Sequence, residues 1–101
     1  MVNLTPAYQY STVSEAPLDE TGELVEVETR GRRQLTVRAT ATLETDLSVE
    51  VDMGDGEWEP LDTFGGVTEV AETYQVSAAR ARLTNDDATE GETIDAKLGT
   101  S

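Results

Sequence analysis

The side chains in this sequence that could do chemistry are carboxylates, hydroxyls and arginines. Its 101 residues include 21 Asp and Glu, seven Lys and Arg, and neither Cys nor His. Without His the most common general base and metal ligand is missing, and without Cys there is no thiolate site or disulfide. Two carboxylates can hydrolyse a glycosidic bond, but acidic residues are so frequent here that no particular pair stands out. We therefore expect a protein that is not an enzyme and that uses no cofactor.

The segment 52–57 places three carboxylates around two glycines. Carboxylate oxygens suit calcium, but their number and spacing do not match those of an EF-hand loop. An Asp-Gly dipeptide is also favoured in a tight hairpin turn. The pattern therefore favours a turn over a metal site, and it leaves open whether that turn binds a cation.

The arginines fall mainly into two groups. Arg30, Arg32 and Arg33 surround Gly31, whereas Arg80 and Arg82 alternate along a predicted strand with their side chains outward. Guanidinium groups bind phosphates and carboxylates through paired hydrogen bonds. The net charge of −14 opposes the approach of a nucleic acid. We therefore expect the arginines to contact carboxylates, either nearby in the domain or on a protein partner.

The aromatic residues give two further candidate sites. Tyr8 and Tyr10 share one face of an N-terminal stretch that Pro6 keeps out of a helix. Aromatic side chains are favoured in interfaces, although these two could equally cover the domain's own core. Trp58 alternates with acidic neighbours, which indicates an aromatic that packs on the core or seals a sheet edge. Stacking on a sugar ring is the alternative for Trp58.

The elements that must position these residues are β-strands. Apolar and polar residues alternate in two runs within residues 34–58, and a period of two predicts strands with one buried face. The apolar positions are Leu35, Val37, Ala39, Ala41, Leu43, Leu47, Val49, Val51 and Met53. Acidic and glycine residues follow each run, so the stretch is predicted to form a β-meander.

Shorter alternating runs complete the predicted fold. They indicate strands at residues 23–30 and 93–98, a loop over 14–22, and one strand with a β-bulge over 67–85, where the apolar phase shifts after Ala79. The pattern predicts an all-β fold, a small antiparallel β-sandwich of six to eight strands with a jelly-roll or immunoglobulin-like topology. We predict an N-terminal arm and loop over residues 1–22 and a sandwich domain over residues 23–101.

The charge balance indicates the solvent in which the fold is stable. The acidic residues are spread through the sequence and Lys97 is its single lysine, a composition typical of haloarchaeal proteins, with an acidic mesophilic domain as the alternative. Repulsion among these charges is screened only in concentrated salt. No stretch is apolar enough to span a membrane and no signal sequence is visible, so we expect a soluble, unprocessed protein.

The order of the motifs GRRQLTV, LSVEVDMGDGEW, YQVSAARARLTN and TIDAKLGT, over residues 31–98, resembles small β-sandwich virion proteins of tailed viruses. With the acidic composition, the resemblance is to capsid decoration or turret-type proteins of a haloarchaeal tailed virus. It implies a structural protein of the capsid surface, assembled in the host cytoplasm. Its partners would be the major capsid or another shell protein and copies of itself, with no cofactor, nucleic acid or membrane.

On this interpretation we expect the arm and at least one arginine group to lie in protein interfaces. The candidate interface residues are Tyr8, Tyr10, Arg30, Arg32, Arg33, Arg80 and Arg82. The alternative function is a β-sandwich module that binds carbohydrate or a host surface, which would need an exposed aromatic platform at Trp58 or at the two tyrosines.

Overall fold

The computed structural model describes residues 9–101, which form six β-strands and no helix. The strands are β1 (Gln9–Pro17), β2 (Gly22–Glu28), β3 (Gln34–Asp52), β4 (Trp58–Gln75), β5 (Arg80–Asn85) and β6 (Thr93–Thr100). All strand pairs are antiparallel. The predicted all-β antiparallel fold is therefore confirmed. Within this range there is also no helix that could cross a membrane.

Strand β3 is the centre of the sheet. Its one edge pairs with β4, and its other edge pairs first with β6 and then with β5. Strand β1 adds to β6, and β2 adds to β5. The first half of β3 thus lies with β6 and β1, and the second half with β5 and β2. The sequence leaves the strand topology open between a jelly roll and an immunoglobulin-like fold. The structure shows that one long hairpin, β3–β4, runs through both halves of the domain.

The β3–β4 hairpin bends so that its two halves form two facing layers. Gln75 pairs with Gln34 at the start of β3, while Arg80 pairs with Asp52 at the end of β3. Only residues 76–79 connect these pairs, and a connection of that length spans less than about 20 Å. A straight strand of 19 residues would be about 60 Å long. The two ends of β3 must therefore lie close together, and β2 packs against β1 and β6 of the opposite layer.

The bend lies in the middle of the hairpin. The β3–β4 register shifts between Thr40 and Thr45. On β4, Gly66 has a φ of 63°, in the left-handed region that favours glycine, and its N–H donates to Asp46 Oδ1 at 2.8 Å. Leu43 is 55% exposed at this bend. The prediction that Leu43 points into the core with its alternating neighbours is therefore wrong, because the backbone bulges where the strand turns from one layer to the other.

The core fills the space between the two layers. Three polar side chains, Thr45, Asn85 and Thr100, are fully buried in it. The fully buried large apolar side chains are Leu18, Leu35, Val37, Leu47, Val49, Leu83, Ile94 and Leu98. Each contributes about 1.5–3 kcal/mol by removing apolar surface from water. Val76 is half-buried and packs against this cluster, whereas Met53, at the end of the second alternating run, is 56% exposed.

Three predicted elements differ from the structure. The two runs predicted as separate strands of a β-meander, with a reversal at residues 44–46, form the single strand β3, which bends there without reversing. Residues 14–17, predicted as loop, belong to β1 and pair with β6 across a bulge, and Leu18 directly after them is fully buried. The stretch 67–85, predicted as one bulged strand, is the end of β4 and the whole of β5. The alternation of apolar residues shifts by one position after Ala79, because residues 76–79 connect β4 in one layer to β5 in the other. The predicted arm before Gln9 lies outside the described residues, and its boundary stays a prediction.

Two ends of the sandwich can now be defined. The corner end holds the bend and the adjacent loops, residues 18–21, 42–46, 65–66 and 86–92. The open end holds the β2–β3 turn at residues 29–33, the hairpin tip at 53–57 and the crossing at 76–79. Hydrogen bonds tie each end together: Asp86 N donates to Asp46 O at the corner end, and Thr29 N donates to Ala79 O at the open end.

Candidate functional site

Arg80 and Arg82 lie on the outer face of the β2–β5–β3 layer, as their alternation predicts. Arg80 sits directly opposite Asp52 in the β3–β5 register. Its Nε lies 2.9 Å from Asp52 Oδ2, and its Nη1 lies 3.0 Å from Glu26 Oε1 on β2. One guanidinium therefore joins three strands.

Arg82 repeats this arrangement two residues further along β5. It sits opposite Glu50 on β3, and its Nη2 and Nε each lie 2.7 Å from Glu50 Oε1. Its Nη1 lies 3.6 Å from Glu23 Oε1 on β2. Both arginines thus donate hydrogen bonds to carboxylates of their own domain. Whether either one also contacts a partner stays a prediction.

Trp58 is covered by these two arginines. The guanidinium carbons of Arg80 and Arg82 lie 4.4 and 4.3 Å from the centre of its ring, within the range of a cation–π contact. The side chain is half-buried. Trp58 is therefore not the exposed aromatic platform that sugar binding would need.

Asp52 is the buried member of this cluster. Its Oδ1 accepts hydrogen bonds from Gly54 N at 2.7 Å and Gly56 N at 3.1 Å. These backbone donors, and secondarily Arg80, lower the pKa of Asp52, although burial of the carboxyl acts in the opposite direction. Both Asp52 oxygens are thus engaged, Oδ1 by the hairpin tip and Oδ2 by Arg80 on β5. No group of three potential metal ligands occurs within residues 9–101.

The second arginine group, at the open end, has a different environment. Thr29 O accepts a hydrogen bond from Arg32 N at 2.9 Å, and Gly31 between them has a φ of 79°, as in a type II turn. Arg33 N donates to Ser101 O and Arg33 O accepts from Val76 N, both at 3.0 Å. The backbone of this arginine turn, residues 30–33, is therefore fixed against two neighbouring segments.

The guanidinium groups of the arginine turn form no ion pair with the described residues 9–101. Arg30 and Arg33 are exposed and Arg32 is half-buried. Among the described carboxylates, none forms an ion pair with any of the three, in contrast to those around Arg80 and Arg82. In a chain with three times as many acidic as basic residues, this separation leaves three cations available to a partner.

An open cleft lies beside the arginine turn. It has a volume of about 460 Å³ and is lined by Arg33, Gln34, Gln75, Val76 and Ser77. Four of these side chains are polar donors and none is a carboxylate. Gln34, Gln75 and Ser77 are functional candidates that the sequence interpretation missed, because only the β3–β4 register brings residues so distant in sequence together.

The tyrosine candidates are only partly described. Tyr10 lies on β1 and is 58% exposed, and the Lys97 ammonium on neighbouring β6 lies 4.3 Å from the centre of its ring. Tyr8 lies outside the described residues, so its predicted pairing with Tyr10 stays a prediction.

Strand β4 provides an unpaired edge. It pairs with β3 along one side, and no other described strand pairs with it. Pro60 and the register shifts interrupt its first part, whereas the pairs from Thr40–Glu69 to Gln34–Gln75 follow without a shift. The regular part of this edge, residues 69–75, therefore presents backbone donors and acceptors in the geometry of a strand.

The sequence matches no family model, and no curated protein is significantly similar to it. The fold is similar to that of the SPBc2 prophage-derived protein YomS, with a TM-score of 0.70 and 13% identity over 99% of this chain and 97% of that chain. PirA and the tobacco streak virus coat protein align with TM-scores of 0.44 and 0.45, at 14% and 12% identity. These two cover 98% and 100% of this chain, and 97% and 90% of the other chains. Their scores are too low to indicate a shared fold.

Proposed function

We propose that this chain is a non-enzymatic structural subunit of a virus particle, which binds a shell protein and copies of itself. The observation that carries the proposal is the regular edge of β4, with which no strand of the described residues 9–101 pairs. Exposed strand edges are templates for pairing with another chain, and proteins that act alone usually cover or interrupt them. A subunit that assembles has a use for such an edge.

The arginine turn supports the same function. Arginine is enriched in protein interfaces and binds carboxylates through a planar fork. Here three arginines lie together on a fixed turn with no described carboxylate paired to them. The near full-length fold match to a prophage-derived protein agrees with a viral origin. Within the particle, our proposal is a decoration or turret-type protein on the capsid surface, with Tyr8 and Tyr10 as further interface residues.

Fractionation of virus particles tests the proposal. Particles from cultures that carry the gene are separated on a density gradient, and the chain and the major shell protein are quantified by mass spectrometry in every fraction. We expect the chain to co-sediment with the shell protein at a constant ratio, while an acidic host protein of similar size stays at the top. Finding this chain only at the top of the gradient would show that it is not a particle component.

The carbohydrate-binding alternative has no comparable support. The ring of Trp58 is half-buried under two guanidinium groups, and a cation also lies over the ring of Tyr10. Sugar-binding platforms need an aromatic face that is open to the ligand. The carboxylates around Arg80 and Arg82 are held in ion pairs, so they also lack the free arrangement of a glycosidase pair.

A further inference from the structure

The two ends of the sandwich carry charges of opposite character. The corner end, as defined above, contains eight carboxylates and no basic residue: Asp19, Glu20, Glu44, Asp46, Asp86, Asp87, Glu90 and Glu92. Most of these side chains are exposed, and Glu92 is half-buried. The open end contains the three arginines of the arginine turn, with Asp55 and Glu57 at the hairpin tip.

Chain topology places these charges at opposite ends. The register of β3 with β6 runs from Leu35–Thr100 near the open end to Ala41–Ile94 at the bend. The register of β3 with β5 returns from Leu47–Asn85 at the bend to the Asp52–Arg80 pair near the open end. The acidic loop 86–92 and the arginine turn are therefore separated by the length of the strands, and they cannot neutralise each other within one molecule.

We propose that the open end of one copy binds the corner end of a second copy, so that the chain associates head to tail. The arginine turn and the donor-lined cleft beside Arg33 would receive carboxylates of the partner's loop 86–92. This inference rests on the proposed function in one respect, namely that the chain acts in an assembly, and it specifies which partner the arginines bind.

Charge complementarity favours a second copy as the occupant. The open cleft offers a guanidinium, two amides and a hydroxyl, which are donors for carboxylate oxygens. Of the four carboxylates in the loop 86–92, those of Asp87 and Glu90 are exposed and accept no hydrogen bond among the described contacts, whereas Asp86 and Glu92 accept hydrogen bonds from Ser48, Thr84 and Thr42. A contact between two different surfaces of the same molecule repeats from copy to copy, and it forms a ring if the rotation closes and an open stack if it does not.

The salt concentration affects the attraction between arginine turn and corner end differently from the repulsion between two copies of net charge −14. At about 0.5 M salt the Debye length falls between the values of about 3 Å at 1 M and 10 Å at 0.1 M. Direct arginine–carboxylate contacts persist at that screening length, while repulsion between the remaining charges of two copies is largely removed. Association should therefore be strongest at intermediate salt and weaker in dilute buffer.

Two neutralised variants of the full chain test the arrangement. The open-end variant carries Arg30→Ser, Arg32→Ser and Arg33→Ser. The corner-end variant carries Asp19→Asn, Asp87→Asn and Glu90→Gln, whose side chains accept no hydrogen bond among the described contacts. Arg38→Ser removes another exposed arginine, on the outer face of β3, and serves as the matched control. Thermal melting and Trp58 fluorescence verify that every variant is folded.

Sedimentation of each variant alone and of an equimolar mixture provides the result. We expect each neutralised variant alone to associate at least about tenfold more weakly than the parent, and the Arg38→Ser control to associate as the parent does. The mixture should form a one-to-one dimer, because the intact open end of one variant meets the intact corner end of the other. An open-end variant that associates like the parent, or a mixture that stays monomeric, would overturn the proposal.

Failure of this inference differs from failure of the proposed function. If the parent chain is monomeric in solution but is found in purified particles, the head-to-tail contact is wrong and the proposed function stands. If the chain associates as described but is absent from particles, the virion function is wrong and the contact stands.

Discussion

Arg80 and Asp52 are joined across the β3–β5 pair, with Arg80 Nε 2.9 Å from Oδ2 of a carboxylate whose side chain is only 4% exposed. The other oxygen of Asp52 accepts two backbone N–H groups of the hairpin tip. One side chain therefore connects the end of the long hairpin to the strand that follows it. Removing Arg80 would leave the buried Asp52 carboxylate without its counter-charge, whereas removing Asp52 would leave Arg80 paired with Glu26 alone.

The lowered pKa of Asp52 predicts how its contribution changes with pH. A carboxyl whose pKa is lower in the folded protein stabilises the fold fully above its unfolded pKa, about 3.9, and loses that effect as the pH falls through the folded pKa. Asp52→Asn should therefore melt at a lower temperature than the parent at pH 7, and the difference should shrink below about pH 4. Asp55→Asn, in the same turn but exposed, is the control. A difference that stays constant down to acid pH would show that the Asp52 charge has no stabilising role.

Fluorescence of Trp58 reports the arginines that cover it, because it is the only tryptophan in the chain. Arg82→Ala should uncover the ring, shift its emission to longer wavelength and increase quenching by acrylamide. Loss of the cation–π contact and of the half-exposed ion pairs should lower the free energy of unfolding by on the order of 1 kcal/mol. Arg38→Ala, which lies on the other half of β3, should leave the spectrum unchanged. An unaltered spectrum in Arg82→Ala would mean that the stacked geometry is not populated in solution.

One valine and one leucine on β3, Val49 and Leu43, distinguish the bent strand of the structure from a strand with uninterrupted alternation. Val49 is fully buried and Leu43 is 55% exposed at the bend. Val49→Asp buries an unpaired carboxylate and should cost several kcal/mol, comparable with the total stability of about 5–15 kcal/mol. Leu43→Asp should change the free energy of unfolding by no more than about 0.5 kcal/mol. Urea denaturation measures both, and equal destabilisation of the two variants would contradict the bend.

The net charge of −14 predicts that stability depends on salt. Repulsion over intramolecular distances of about 10 Å persists in 0.1 M salt and is screened in 1 M salt. The melting temperature should therefore rise across this range, and it should rise less for Asp87→Asn with Glu90→Gln, which removes two charges from the corner end. A melting temperature that is constant or higher in dilute buffer would remove the argument for a halophilic protein.

The alternating pattern predicted most of the strands because burial on one face fixes a period of two. Leu35, Val37, Val49 and Ile94 are all buried as the pattern indicates, and the glycine-rich turn after Asp52 ends β3. The prediction failed where the chain changes layers. The alternation of apolar and polar residues continues through Leu43, where the strand bends, and it shifts by one residue after Ala79, where the chain crosses between layers. Contacts between residues distant in sequence decide whether such a site is a bulge, a bend or a crossing.

The candidate site shows the same division. Alternation alone places Arg80 and Arg82 on the outer face, but their carboxylate partners on β2 and β3 follow only from the strand register. Nothing in the sequence indicates that Trp58 lies under the guanidinium groups of Arg80 and Arg82. The arginine turn could be recognised from Gly31 and its neighbours, whereas the absence of described carboxylate partners required the three-dimensional structure.

Sedimentation velocity of the full chain tests most directly whether copies of this protein associate with one another. At about 0.5 M salt, where screening removes long-range repulsion but preserves direct ion pairs, we expect the average mass to exceed the 10.9 kDa of one copy and to increase with protein concentration. The mass should fall when the open-end arginines are replaced. A folded chain that sediments as a 10.9 kDa monomer at every concentration would contradict the proposed self-association.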